Sequence, residues 1–187
     1  MKINVFIIML FLITFTVYAG GSGEYSPVSD MEKSWYQAID KNLWPNDVRE
    51  NIDLYRNSNI GWAGIVEKYM TDLTNPQYDI LGLYVRHHYF NWIENFDHTG
   101  KRILLSPDGE GYIVAYYYFH KNFDFSGLLE NIIGDLIIFY GHPLDLENDV
   151  LIMLAGYVRF ISKDYVNPNW IPYGRDGSPF GDILLNE

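Results

Sequence analysis

The chain contains no cysteine. That absence removes a disulfide framework, a thiolate metal site and any lipid attached through a cysteine, so folding must rest on packing alone. Cations are scarce too: 13 lysines and arginines stand against 24 aspartates and glutamates, a formal net charge of -11. Such a surface repels the phosphate backbone on which most nucleic-acid affinity depends, which argues against nucleic acid as a partner. Neither the D-x-D-x-D-G pattern of a calcium loop nor the G-x-S-x-G turn that exposes a nucleophilic serine occurs. After the first 20 residues no apolar run reaches the roughly 18 residues that a membrane-spanning helix needs.

Aromatic residues are abundant instead, 16 Tyr, 11 Phe and 5 Trp in 187 residues. Rings of this kind suit half-buried pleated surfaces, and they point to an all-β protein. At the N-terminus, Lys2 precedes an apolar run over residues 3–17, and Val17-Tyr18-Ala19 leads into Gly20-Gly21-Ser22-Gly23. A basic start, a short apolar centre and small residues are the parts of a secretory signal peptide, here residues 1–19 with cleavage after Ala19. The alternative is an uncleaved anchor helix, for which the run is short.

Residues 20–53 read as a linker followed by a short helix. The composition of 22–30 is Gly, Ser, Pro and acid, that of a flexible segment. Over 29–43 a capping Ser29 or Asp30 precedes Met31, Trp35, Ile39 and Leu43 at four-residue intervals, the pattern of an amphipathic helix stopped by Trp44-Pro45. Strand patterns follow at 59–70, bent at Gly61 and Gly64, then at 79–90 and 111–120. The interval 91–108 is long enough to carry a hairpin of its own. Residues 124–133 offer a cap, spaced leucines and a stop at Gly134, and so a short helix. The run 133–141, I-G-D-L-I-I-F-Y-G, is a buried strand with Leu136 and Ile138 expected toward the core. An acidic loop over 144–149 then precedes a last strand at 150–162, with Ile152, Leu154, Val158 and Phe160 inward. Residues 167–187 form a tail able to pack through Trp170 and Tyr173.

Three strands, a helix and two strands, with a bent glycine-bearing first strand, is the order of a five-stranded OB-fold-like Greek-key barrel over residues 54–166. With the signal segment, the stretch L-Y-R-N-S-N-I-G-W-A-G-I-V leading into the first strand and G-D-L-I-I-F-Y-G after the helix, the chain resembles the Slp family of bacterial outer-membrane lipoproteins. The resemblance covers roughly residues 54–160 as a succession of elements. It implies an exported envelope protein of the periplasm or the outer-membrane periphery, with no enzymatic residues to carry over. Family members carry a lipid-modified cysteine at the cleavage site, where this chain has Ala19-Gly20, so association with the outer membrane would be peripheral.

The residues that could carry chemistry are dispersed. His87 and His88 are adjacent and point to opposite faces of one strand, while His98, His120 and His142 fall in a loop or at strand ends, so no metal site is expected. The carboxylate pairs Glu94 with Asp97 and Asp145 with Glu147 are placed in loops without common orientation. No catalytic residue and no cofactor is assigned. One face stands out: Tyr84, Arg86 and His88 on the second barrel strand and Tyr116 and Tyr118 on the third lie on the outward side, the surface by which OB-folds bind ligands. The expected function is non-enzymatic binding of an envelope protein or glycan there. The alternatives are that these rings pack under the 91–108 loop or the N-terminal helix, and, in a different class, that the protein is a small cell-wall hydrolase using loop carboxylates. Mass spectrometry of envelope fractions is expected to find a mature chain beginning at Gly20 and carrying no lipid; a chain that retains Met1 would mark an anchor instead.

Overall fold

The structure is a computed structural model that describes residues 21–90, 92–97, 100–103, 105–130 and 132–161. In chain order the elements are β1 Gly21–Glu24, α1 Asp30–Ala38, α2 Pro45–Glu50, α3 Ile52–Tyr55, β2 Ile60–Asp72, β3 Tyr78–His88, β4 Ile93–Asp97, β5 Gly100–Ile103, β6 Tyr112–His120, α4 Ser126–Leu129, β7 Leu136–Glu147 and β8 Val150–Ile161. Five strands close into a barrel in the order β2-β3-β6-β8-β7, with β7 returning to β2. Only β6 and β8 run parallel; the other barrel pairs are antiparallel. Together with α4 between β6 and β7, this is the Greek-key connectivity of an OB-fold-like barrel.

β2 serves two partners in succession, as its bent sequence suggested. Residues Ile60 to Ile65 pair with β7, and after a bulge between Val66 and Lys68 the strand continues against β3 alone. The barrel interior is filled by Ile60, Trp62, Val66, Leu81, Leu83, Val85, Ile113, Ile137, Phe139, Leu151 and Met153. Trp62 donates its indole N–H to the Leu43 carbonyl at 2.8 Å, so the one polar atom of that buried ring is satisfied.

A second core lies outside the barrel wall. Leu136, Ile138 and Tyr140 point outward from β7 and meet Tyr25, Tyr36, Ile39, Phe90, Trp92 and Leu105. The facing expected for this strand is therefore reversed: Ile137 and Phe139 enter the barrel, while Leu136 and Ile138 enter the outer core. A continuous apolar run carries no alternation from which to read its parity, and here both faces are buried. The expected tail, residues 167–187, lies outside the described residues.

The cover is the N-terminal segment, which was expected to be a flexible linker. β1 pairs with β4, which pairs in turn with β5, so residues 93–103 do carry a hairpin. Tyr25 is buried and donates its N–H to the Trp92 carbonyl at 2.8 Å. α1 begins at the Ser29 cap, whose Oγ accepts the Glu32 N–H at 3.1 Å, and ends at Ala38, five residues before the expected stop. Its buried positions are Glu32 and Tyr36, while Met31 is exposed. Glu32 is tolerated in an apolar setting because its carboxylate accepts from the Tyr25 hydroxyl, the Val28 N–H at 2.7 Å and the Tyr140 hydroxyl at 3.1 Å, with Arg159 at 3.9 Å.

Two further expectations change at the C-terminal hairpin. The acidic loop 144–149 is mostly strand, since β7 runs to Glu147 and turns through Asn148 and Asp149, both at positive φ, as a two-residue hairpin turn requires. On β8, Leu151 and Met153 face inward rather than Ile152 and Leu154, yet Val158 and Phe160 do pack on the barrel core. The switch occurs at Gly156, left out of the β7–β8 register between Ala155 and Tyr157. The Trp35 ring occupies the space that a Cβ at Gly156 would need, 2.1 Å from its nearest atom.

Burial on both sides of β7 generates a stability prediction. Ile137→Ala and Ile138→Ala should each cost about 2 to 5 kcal/mol, whereas Asp145→Ala on the exposed part of the same strand should change stability by no more than about 0.5 kcal/mol. Denaturant titrations of the three variants test this; tolerance of either isoleucine change would remove one of the two cores.

Candidate functional site

Alternation along the paired strands produces a second outward face, opposite in character to that of β7. β3 contributes Ile80, Gly82, Tyr84 and Arg86, and β6 contributes Tyr112, Val114, Tyr116 and Tyr118. The register sets these in rows: Lys68, Tyr84, Val114 and Ile152 in one, and Met70, Gly82, Tyr116 and Leu154 in the next. Ile80 opposite Tyr118 begins a third. None of these residues belongs to either core, and the helices pack elsewhere, α1 against β8 and α3 against β7. Tyr118 is 46% exposed, Tyr78 43% and Met70 53%, values normal for lysine and unusual for grouped aromatic and apolar side chains.

Local contacts hold the rings in place without hiding them. Tyr84 and Tyr112 stack with centroids 5.0 Å apart and planes 18° from parallel. Tyr78 meets Tyr118 edge-on at 6.0 Å. Gly82 matters by what it omits: a Cβ there would lie 2.8 Å from Met70 Cγ and 3.0 Å from Tyr116 Cε1, so these two side chains close over the bare backbone and level the surface. The charges are balanced. Arg86 Nε sits 3.0 Å from Glu67 Oε1, and the Lys68 ammonium lies 5.7 Å from the Tyr84 ring centre. At the lower end of β3, Lys121 Nζ binds Asp79 at 2.6 Å and holds that carboxyl below its ordinary pKa.

Of the five residues singled out in the sequence, Tyr84, Arg86, Tyr116 and Tyr118 share this face. His88 does not reach the open surface. It is buried beneath the 105–108 segment, with Nδ1 2.5 Å from the Ser106 carbonyl, to which it donates. The 105–108 segment thus covers the end of β3, and no described residue of the 91–108 interval packs on its middle. Met70 and Lys68 escaped the sequence reading because the bulge after Val66 shifts the parity of β2, and two glycines blur its pattern. Tyr112 was legible on the correct face of β6, and its stacking on Tyr84 adds it to the group.

The residues weighed for other chemistry are spread apart. Among the described residues no three His, Asp or Glu side chains converge on a point that could hold a metal ion; His98 lies outside them. Asp145 and Glu147 are exposed on β7, and the backbone of Glu94 and Asp97 belongs to β4, so both carboxylate pairs lie on strands rather than in loops. His87 points the other way from His88. Its Nδ1 accepts the Glu110 N–H at 2.9 Å, and its ring is edged by Trp44, Trp62 and Tyr89.

The fold and this face define the class: an all-β protein with a closed OB-fold-like barrel, covered by its N-terminal segment on one side and presenting tyrosines on another. No family model matches the chain, and no curated protein is similar to it. Neither comparison bears on the resemblance to the Slp family.

The two buried histidines generate a pH prediction. Burial, first, and then the neighbouring His88 and Arg49 charges hold the His87 pKa well below the ordinary histidine value; burial also lowers that of His88. The unfolded chain takes up protons near pH 6.5 that the folded chain refuses, so stability is complete above that pH and falls as pH drops below it. The slope is at most about 1.4 kcal/mol per pH unit for each histidine. Urea titrations between pH 7.5 and 5 should show His87→Gln losing less stability than the unmodified chain over that interval; equal losses would assign the acid sensitivity elsewhere.

Proposed function

We propose that the protein is a non-enzymatic, exported cell-envelope module that binds a glycan through the tyrosine face of β3 and β6. The observation that carries this reading is a group of tyrosines on the barrel face that OB-folds use for ligands, Tyr118 and Tyr78 exposed and Tyr84, Tyr112 and Tyr116 half-buried beside them. Tyrosine offers a flat apolar ring that can stack on the C–H face of a sugar and a hydroxyl that can bond its rim. Internal pairing of Arg86 with Glu67 leaves little net charge to recruit an anion, which favours a neutral saccharide. A stretch of apolar and aromatic surface of this kind also suits a partner protein, which the same experiment would reveal. The signal-like N-terminus and the Slp-like order of elements support a place in the periplasm or at the periphery of the outer membrane.

The test is capture on immobilised envelope glycans and from envelope extracts, comparing the unmodified protein with a Tyr116→Ala, Tyr118→Ala double variant. Glycan binding should fall about tenfold or more, equivalent to about 1.4 kcal/mol, while the thermal midpoint changes little because both side chains are largely outside the cores. Unchanged glycan capture by the folded variant would remove the face from consideration, and loss of a protein partner alone would replace the glycan by that protein.

A further inference from the structure

Among the described residues, the far half of β2 has an open edge. β7 covers the free side of β2 only from Ile60 to Ile65, and Gly134 and Asp135 take up the backbone groups of Val66. From there to Asp72 the strand pairs with β3 on one side, and no described residue pairs with it on the other. The segment Lys68-Tyr69-Met70-Thr71-Asp72 is exposed at every position. Regular backbone with alternate N–H and C=O groups turned to solvent is a template for another strand, and protein edges are ordinarily guarded by like charges, proline or a covering element. This edge has no proline, and its two charges are opposite and sit four residues apart.

We infer that this edge pairs with the same edge of a second copy of the chain, antiparallel and centred on Met70. A two-fold axis at Met70 sets Lys68 opposite Asp72 of the partner, and Asp72 opposite the partner's Lys68, so both charges are matched twice. A shift of the axis to Tyr69 or Thr71 breaks both matches, so the charges select one register. Lys68 and Met70 lie on the side of the sheet that carries Tyr84 and Tyr116, and pairing therefore joins the two tyrosine faces across a continuous sheet. Exposed apolar side chains flank both ends: Leu73 is 55% exposed beyond Asp72, and Ile133, 58% exposed, precedes the Gly134 that binds Val66. The two-fold brings Leu73 of each copy toward Ile133 of the other. The inference stands on the edge itself and does not depend on what the tyrosine face binds.

The absence of cysteine makes the arrangement directly testable. Antiparallel neighbours have Cα atoms about 4.5 to 5.5 Å apart, within the span of a disulfide. Met70→Cys should therefore form a disulfide-linked dimer on mild oxidation much faster than Leu54→Cys, a more exposed position on α3. Sedimentation velocity of the unmodified chain from Gly20 onward, at about 0.15 M salt to damp repulsion between two strongly acidic copies, should show a concentration-dependent dimer. Lys68→Glu and Asp72→Lys should each make it monomeric, and the double exchange should restore the dimer. A monomer at all concentrations would overturn the inference, and so would a dimer indifferent to both single exchanges, or equal cross-linking rates at the two cysteine positions. Circular dichroism melts of each variant separate loss of pairing from loss of fold.

Discussion

Burial of β7 on both faces is the constraint from which the rest of the molecule follows. A barrel strand normally turns one face inward and leaves the other to solvent, but Leu136, Ile138 and Tyr140 place a row of large apolar groups on the outside. Such a row must be covered or it becomes an aggregation surface. The chain covers it with its N-terminal segment, with Phe90 and Trp92 between β3 and β4, and with Leu105. The short helices and β1 are therefore part of the fold, and they are held by packing on the strand rather than by their own propensity.

Covering an apolar row with a polar, acidic segment raises a second problem, which Glu32 resolves. Its carboxylate lies at the centre of the outer core, and an unpaired charge there would be severely destabilising. Two tyrosine hydroxyls, a backbone N–H and the Arg159 guanidinium surround it, so the charge becomes a point of register between helix, strand and strap. Arg49 does comparable work at the other end, reaching from α2 to the carbonyls of Glu110 at 2.7 Å, Tyr112 at 3.1 Å and Asp149 at 3.1 Å. Both anchors join segments distant in sequence, which a chain without disulfides must achieve by hydrogen bonds and packing.

The covering material is spent on the β7 side, and the β3–β6 side is left open. That asymmetry gives the molecule its candidate site: aromatic residues that could have served as core stay half-buried or exposed where no described element remains to cover them. The same economy leaves the far half of β2 without a described neighbour on that side, because β7 begins at Leu136, opposite Ile65. The open face and the open edge meet at Lys68 and Met70, so a partner on the edge would extend the sheet beside the tyrosines.

The sequence by itself determined the all-β class, the order of the five barrel strands, the helix between the third and fourth, and the parity of β6, because alternation, glycine punctuation and capping are local signals. It also placed Tyr84, Arg86, Tyr116 and Tyr118 on one face. Only the tertiary structure decided which side of β7 enters the barrel, since a run apolar at every position has no period. It decided the role of residues 22–30 as well: their composition is that of a linker, and they are ordered by contacts with residues some 70 positions away. His88 and His87 were set apart correctly by strand alternation, but the burial of His88 depends on where the 105–108 segment returns. Local pattern fixes what each residue presents; which surfaces remain open is a property of the whole packing arrangement, because it depends on what is left over after every apolar face has found its cover.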